Sequence, residues 1–182
     1  MGTIKTTNIE PIADNGTVTL GSSGDQFTLA TGAKSSFLYP AFEAKLNSTQ
    51  TISDNTSTKV TFDTEEFDTD SAYDNSSNYR FTPQVAGKYL VYLSLGINAA
   101  GDAQLQNIYA FIKKNGSNIK ISHNNYAGNN SRFGTVNVVA AVTFNGSSDY
   151  IEANAQAADS SGSALIQAGD YSTFGAYKLI GA

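Results

Sequence analysis

The segment Lys88–Ile97, KYLVYLSLGI, constrains the fold more than any other part of this sequence. Successive side chains of an extended strand point to opposite faces. Tyr89, Val91, Leu93, Leu95 and Ile97 make one apolar face, yet Leu90 and Tyr92, on the other, are also large and apolar. A strand of this kind needs two covers, one from a core beneath it and a second from above.

The remaining sequence shows where each cover comes from. At 182 residues the chain is long enough for one sizeable core and too short for a second full domain beside it. Charged residues make up 15 %, below the usual quarter, and Ser, Thr and Asn supply the polarity instead. No helical periodicity persists anywhere. Short alternating runs separated by turn residues predict strands at 41–46, 58–62, 78–84, 88–97, 107–114, 118–123, 133–144, 149–157 and 173–180. Asn115-Gly116 and Asn145-Gly146 mark tight turns between strands. The expected class is an all-β sandwich of about ten strands occupying residues 37–182.

Residues 1–36 differ in character. Two strand-like pieces, 17–20 and 26–30, flank the flexible sequence GSSGD, and large apolar residues are too few for a core. The segment reads as an extended N-terminal arm that orders against partners, with a linker as the alternative. Its opening, MGTIKTTNIEPIADNG, has no apolar stretch typical of a secretory signal, so synthesis in a cytoplasm is expected. The net charge is −5 with Lys and Arg scattered, which argues against a nucleic-acid partner. No run is long enough to predict membrane insertion. With no cysteine, disulfides and thiol chemistry are excluded.

Two further strands share the doubly apolar character. In FGTVNVVAAVTF (133–144), Val139 and Ala141 lie opposite the main apolar face; in TFGAYKLI (173–180), Phe174 and Ala176 lie opposite Tyr177 and Leu179. No helix is available to cover such a sheet and residues 1–36 are too polar. Copies of the same chain are therefore the expected second cover. Each Leu, Tyr or Phe buried this way contributes about 1.5–3 kcal/mol.

The runs FEAKL (42–46), FDTEEFDTD (62–70), NYRFTPQVAGKYLVY (78–92) and YSTFGAYKLIG (171–181) resemble the jelly-roll domain of the complement C-one-q globular head and tumour necrosis factor superfamily. The Phe81–Tyr89 stretch carries most of the likeness. That resemblance implies a homotrimer with Leu90 and Tyr92 facing the threefold axis and Val139 and Phe174 beside them. The expected interface is thus Leu90, Tyr92, Val139, Ala141, Phe174 and Ala176. The first residues, MGTIKTTNIEPIADNGTVTLGSSGDQFTL, are similar to the short N-terminal arms of virion proteins of marine tailed phages.

Candidate chemistry is sparse. The acidic run 62–70 with Asp74 reads as a solvated loop; Asp68, Asp70 and Asp74 offer oxygen ligands for calcium but lack the glycine spacing of an EF-hand. Paired carboxylates for glycoside hydrolysis would need a cleft, which adjacent loop residues do not predict. His123 stands without a cluster of metal ligands and without a G-x-S-x-G turn to present a serine. GINAAGD (96–102) lacks the Gly-Lys-Ser/Thr of a phosphate loop. HNNYAGNNSRF (123–133) is richer: Tyr126 and Phe133 with Asn124, Asn125, Asn129, Asn130 and Arg132 suit a receptor-binding loop, or an ordinary polar one. The expectation is a non-enzymatic phage structural protein on the virion surface. It would be held to other virion proteins by residues 1–36 and would bind a host surface glycan or protein. Alternatives are a capsid decoration protein and a fibre-borne polysaccharide hydrolase.

Overall fold

The computed structural model describes residues 39–101, 104–126 and 128–179. The chain divides into two units, Met1–Ser35 and Ser36–Ala182, and the expected arm at 1–36 lies outside the described residues. The second unit is an all-β sandwich. Its strands are β1 (Ala41–Lys45), β2 (Gln50–Ser53), β3 (Thr58–Lys59), β4 (Thr64–Asp68), β5 (Tyr73–Asp74), β6 (Arg80–Phe81), β7 (Gly87–Ala99), β8 (Leu105–Lys114), β9 (Ser117–Asn125), β10 (Phe133–Phe144), β11 (Ile151–Asp159), β12 (Ser163–Ile166) and β13 (Thr173–Lys178). A 3-10 turn at Gly169–Tyr171 precedes β13.

The larger sheet runs β2-β12-β7-β13-β1-β4, with β10 on the far edge of β7. The smaller runs β5-β6-β11-β8-β9, with β3 also on β11. Every pairing is antiparallel. The long strand β7 is the spine: β10 pairs along it from Gly87 to Asn98, while β13 and β12 share its opposite edge. The expected turn at Asn115-Gly116 closes the β8–β9 hairpin, with both residues at positive φ.

The core is what alternation predicts. Tyr89, Val91, Leu93, Leu95 and Ile97 of β7 and Val136, Val138, Val142 and Phe144 of β10 face Ile108, Ala110 and Ile112 of β8 and Ile151, Ala153 and Ala155 of β11. An aromatic cluster closes one end. Phe42 stacks on Tyr73 at 4.6 Å and on Phe81 at 4.5 Å, and meets Phe174 edge-on at 5.2 Å.

Three expectations change. The acidic run is no free loop, because Thr64–Asp68 forms the edge strand β4 on β1. Phe174 and Ala176 are not at an outer surface: both are fully buried inside the sandwich. The register explains this, since residues directly opposite in an antiparallel pair share a face. Phe174 lies opposite Leu93 and Ala176 opposite Val91, both inward, whereas Gly175 lies opposite Tyr92 and Tyr177 opposite Leu90. β9 continues through Asn124 and Asn125, so the loop before β10 spans only 126–132.

Candidate functional site

Apolar side chains accumulate on the outer face of the larger sheet. Leu90 pairs with Ala141 and Tyr92 with Val139 across β7 and β10. Val139 is 52 % exposed and Leu90 40 %, values that leave about half of two branched side chains in water. Ala141 is exposed beside them. Four of the expected interface residues are therefore brought together on one patch.

Tyr92 does not project from this patch; it lies flat along it. A Cβ at Gly175, its cross-strand neighbour, would collide with the Tyr92 hydroxyl and lie 2.7 Å from Cε1 of the ring. The glycine is what lets the ring cross β13. Its hydroxyl then donates to Glu43 Oε2 on β1, so one side chain ties β7, β13 and β1. Burial, with the carboxylate of Glu43 beside it, pushes the phenol well above the ordinary tyrosine range. Tyr177 stacks on Tyr92 with centroids 5.9 Å apart at 15°, and Phe67 of β4 lies 6.0 Å beyond Tyr177. An aromatic belt, Tyr92–Tyr177–Phe67, thus continues the Leu90–Val139 patch across the sheet. Tyr177 and Phe67 were legible as apolar residues, but only the register assigns them to this face.

The acidic residues have local tasks. Asp68 accepts from the amides of Asp70 (3.1 Å) and Tyr73 (2.7 Å), and Tyr39 donates to Asp70. Asp74 accepts from the amides of Ser76, Ser77 and Asn78 and from the Asn78 carboxamide. These donors hold the Asp74 carboxyl well below the usual carboxylate range. Among the described residues no three acidic or histidine side chains converge on a metal position. Asp68, Asp70 and Asp74, expected to offer oxygen ligands for calcium, form no such group, and Asp68 and Asp74 hold turns.

The expected receptor loop is also rearranged. Tyr126 turns inward over Gly134, where an added Cβ would lie 2.8 Å from the ring Cζ and 2.9 Å from Ile108 Cδ1. It packs against the core and is only partly exposed. Asn124 donates its carboxamide to the Thr135 carbonyl. Asn129 donates its amide to Tyr126 (2.9 Å), and the Arg132 carbonyl accepts from Ala99 (2.8 Å). Asn125 is exposed at the end of β9 and Asn130 is half-buried in the loop. His123 stacks on Tyr109 at 4.5 Å and faces Asn107 at 3.2 Å. Of the aromatic pair expected there, Phe133 alone stays exposed.

Known structures share this architecture. The chain is similar to the Eiger TNF of S. frugiperda, with a TM-score of 0.56 and 14 % identity over 79 % of this chain and 95 % of that one. The globular domain of zebrafish complement 1qA gives 0.55 and 17 % over 78 % and 97 %. Murine APRIL, solved at pH 5.0, gives 0.55 and 13 % over 76 % and 99 %. No protein-family model matches the sequence, and no curated protein matches it. At these identities the likeness is one of fold, and the expected jelly roll is the fold observed.

Proposed function

We propose that this protein is a non-enzymatic adhesion module that works as a homotrimer on a phage virion, its jelly rolls joined through the outer face of the larger sheet. The observation that carries this reading is the exposed patch of Leu90, Val139 and Ala141, continued by Tyr92, Tyr177 and Phe67. Contiguous apolar surfaces of this kind mark association sites. The jelly-roll likeness supports a structural or adhesive role. The N-terminal resemblance to virion arms supports attachment of residues 1–36 to other virion proteins, with the sandwich projecting towards a host surface.

Light scattering of the full chain tests the assembly. The expected mass is near three chains, falling to one for Val139→Asp, whose carboxylate would be desolvated without a partner at a cost of several kcal/mol. A native monomer at micromolar concentration would overturn the reading. Deleting residues 1–36 should leave a folded trimer that no longer joins particles.

A further inference from the structure

The outer face of the larger sheet changes character along β7. Beyond the apolar patch comes a polar waist of Ser94, Asn137, Thr135 and Thr173. Beyond that, at the paired residues Asn98 and Phe133, a hollow of about 240 Å³ opens, lined by Asn98, Phe133, Gln167 and Tyr171. We propose that this hollow binds a neutral saccharide ring.

Its geometry is preformed. Gly96 makes the floor: a Cβ there would sit 3.0 Å from Tyr171 Cβ and 3.3 Å from two Phe133 ring atoms, so the bare glycine gives both residues room to close in. The rings meet at 76° with centroids 5.9 Å apart, forming a corner. Tyr171 is 62 % exposed and Phe133 40 %, whereas the phenylalanines of the core cluster are buried. The turn that carries Tyr171 is fastened at both ends: Gly169 donates to the Leu46 carbonyl (2.9 Å), and buried Ser172 Oγ accepts from the Gly96 amide (3.2 Å). Gln167 is held by its own backbone amide, which donates to the Gly96 carbonyl (2.8 Å). Its carboxamide makes only a long 3.4 Å contact with the Leu165 carbonyl.

The chemistry selects the occupant. Two aromatic faces match the C–H face of a pyranose, and two carboxamides, each both donor and acceptor, match its ring of hydroxyls. A purely apolar ligand would leave both carboxamides desolvated and unpaired. An anion would find no cation, since no charged side chain lines the hollow among the described residues. The volume is below the roughly 300–1,000 Å³ of drug-sized pockets, which suits a single ring. Asn98 lies eight residues from Leu90 along β7, or about 26 Å at the usual strand rise. Assembly through the apolar end therefore leaves the hollow uncovered. The proposal deepens the adhesion reading by naming the class of ligand, and rests on it for its biological use.

The full-length protein, labelled with ¹⁵N, is titrated with the methyl glycosides of glucose, galactose, mannose and N-acetylglucosamine while its mass is followed by light scattering. At least one sugar is expected to shift the side-chain amide signals of Asn98 and Gln167 saturably. Tyr171→Ala and Gln167→Ala should each weaken that binding about tenfold; both side chains lie outside the core cluster, so fold and mass should be unchanged. Val139→Asp should lower the mass and leave sugar binding intact, which separates failure of the assembly from failure of the site. No shift with any of the four sugars, or shifts that survive Tyr171→Ala, would overturn the proposal. So would a loss of mass in Tyr171→Ala, because the hollow would then seat a neighbouring copy.

Discussion

The ring of Tyr92 rests on the bare backbone of Gly175. A methyl group at residue 175 would overlap the Tyr92 hydroxyl and its ring, and the bond from that hydroxyl to Glu43 depends on the same close approach. Three strands are joined at a point where β13 carries no side chain of its own.

Gly175→Ala should accordingly destabilise the protein by about 1–3 kcal/mol, the usual cost of forcing atoms into a filled site. The double variant Gly175→Ala/Tyr92→Leu should lose less than the sum of the single changes, because the clash is gone. Urea denaturation of the four proteins measures the coupling; strict additivity would contradict the contact.

Alkali should unfold this protein early. Tyr73 donates to the Phe62 carbonyl (3.0 Å), Tyr89 to the Val85 carbonyl (2.8 Å) and Tyr92 to Glu43. Burial is the main reason that all three phenols are pushed up. The native state keeps these protons while the unfolded chain releases them near the ordinary value of about 10. The contribution is therefore complete below about pH 10 and is lost as pH rises beyond it. The urea midpoint should fall steeply above that pH, and less steeply in Tyr92→Phe.

Asp74 works in the opposite direction. Its carboxyl is held down by the amides of Ser76, Ser77 and Asn78 and the Asn78 carboxamide, so its contribution is present above the ordinary value of about 3.9 and fades as pH falls below it. Asp74→Ala should speed amide exchange of Ser77 and Asn78 about tenfold while the core strands stay protected. A chelator should leave the melting temperature unchanged. A chelator-sensitive melt would restore a metal to the acidic run.

Phe174→Ala and Val139→Asp should fail in different ways. Phe174 is fully buried, with Phe42 at 5.2 Å, Phe62 at 5.9 Å and Tyr73 at 6.3 Å. Truncating it should cost about 3–5 kcal/mol, a large part of a typical total of about 5–15. Chemical denaturation should show this loss for Phe174→Ala, whereas Val139→Asp should keep its fold and change its mass.

Elements with uninterrupted alternation were legible in the sequence. β10 begins and ends where Phe133–Phe144 predicts, because its core residues recur at every second position and Asn145-Gly146 stops it. β2, β4 and β12 were not legible. QTIS buries a single large residue, Ile52; TEEFD is an edge strand without alternation; SALI is short and follows a Ser/Gly turn. β13 has apolar residues of both parities, so its inner face follows only from its pairing with β7. The lining of the hollow is drawn from β7, β10 and the segment between β12 and β13, and no local pattern brings such residues together.

Two tyrosines lie over two strand glycines: Tyr92 over Gly175 and Tyr126 over Gly134. Each pair has a direction of change. The glycine can gain a side chain only once the ring above it has become smaller, while the ring can shrink first and leave a gap. Lineages descending from this chain should therefore lose the tyrosine before the glycine, and the two positions of each pair should drift together. The order of those losses would be written in the descendants' sequences.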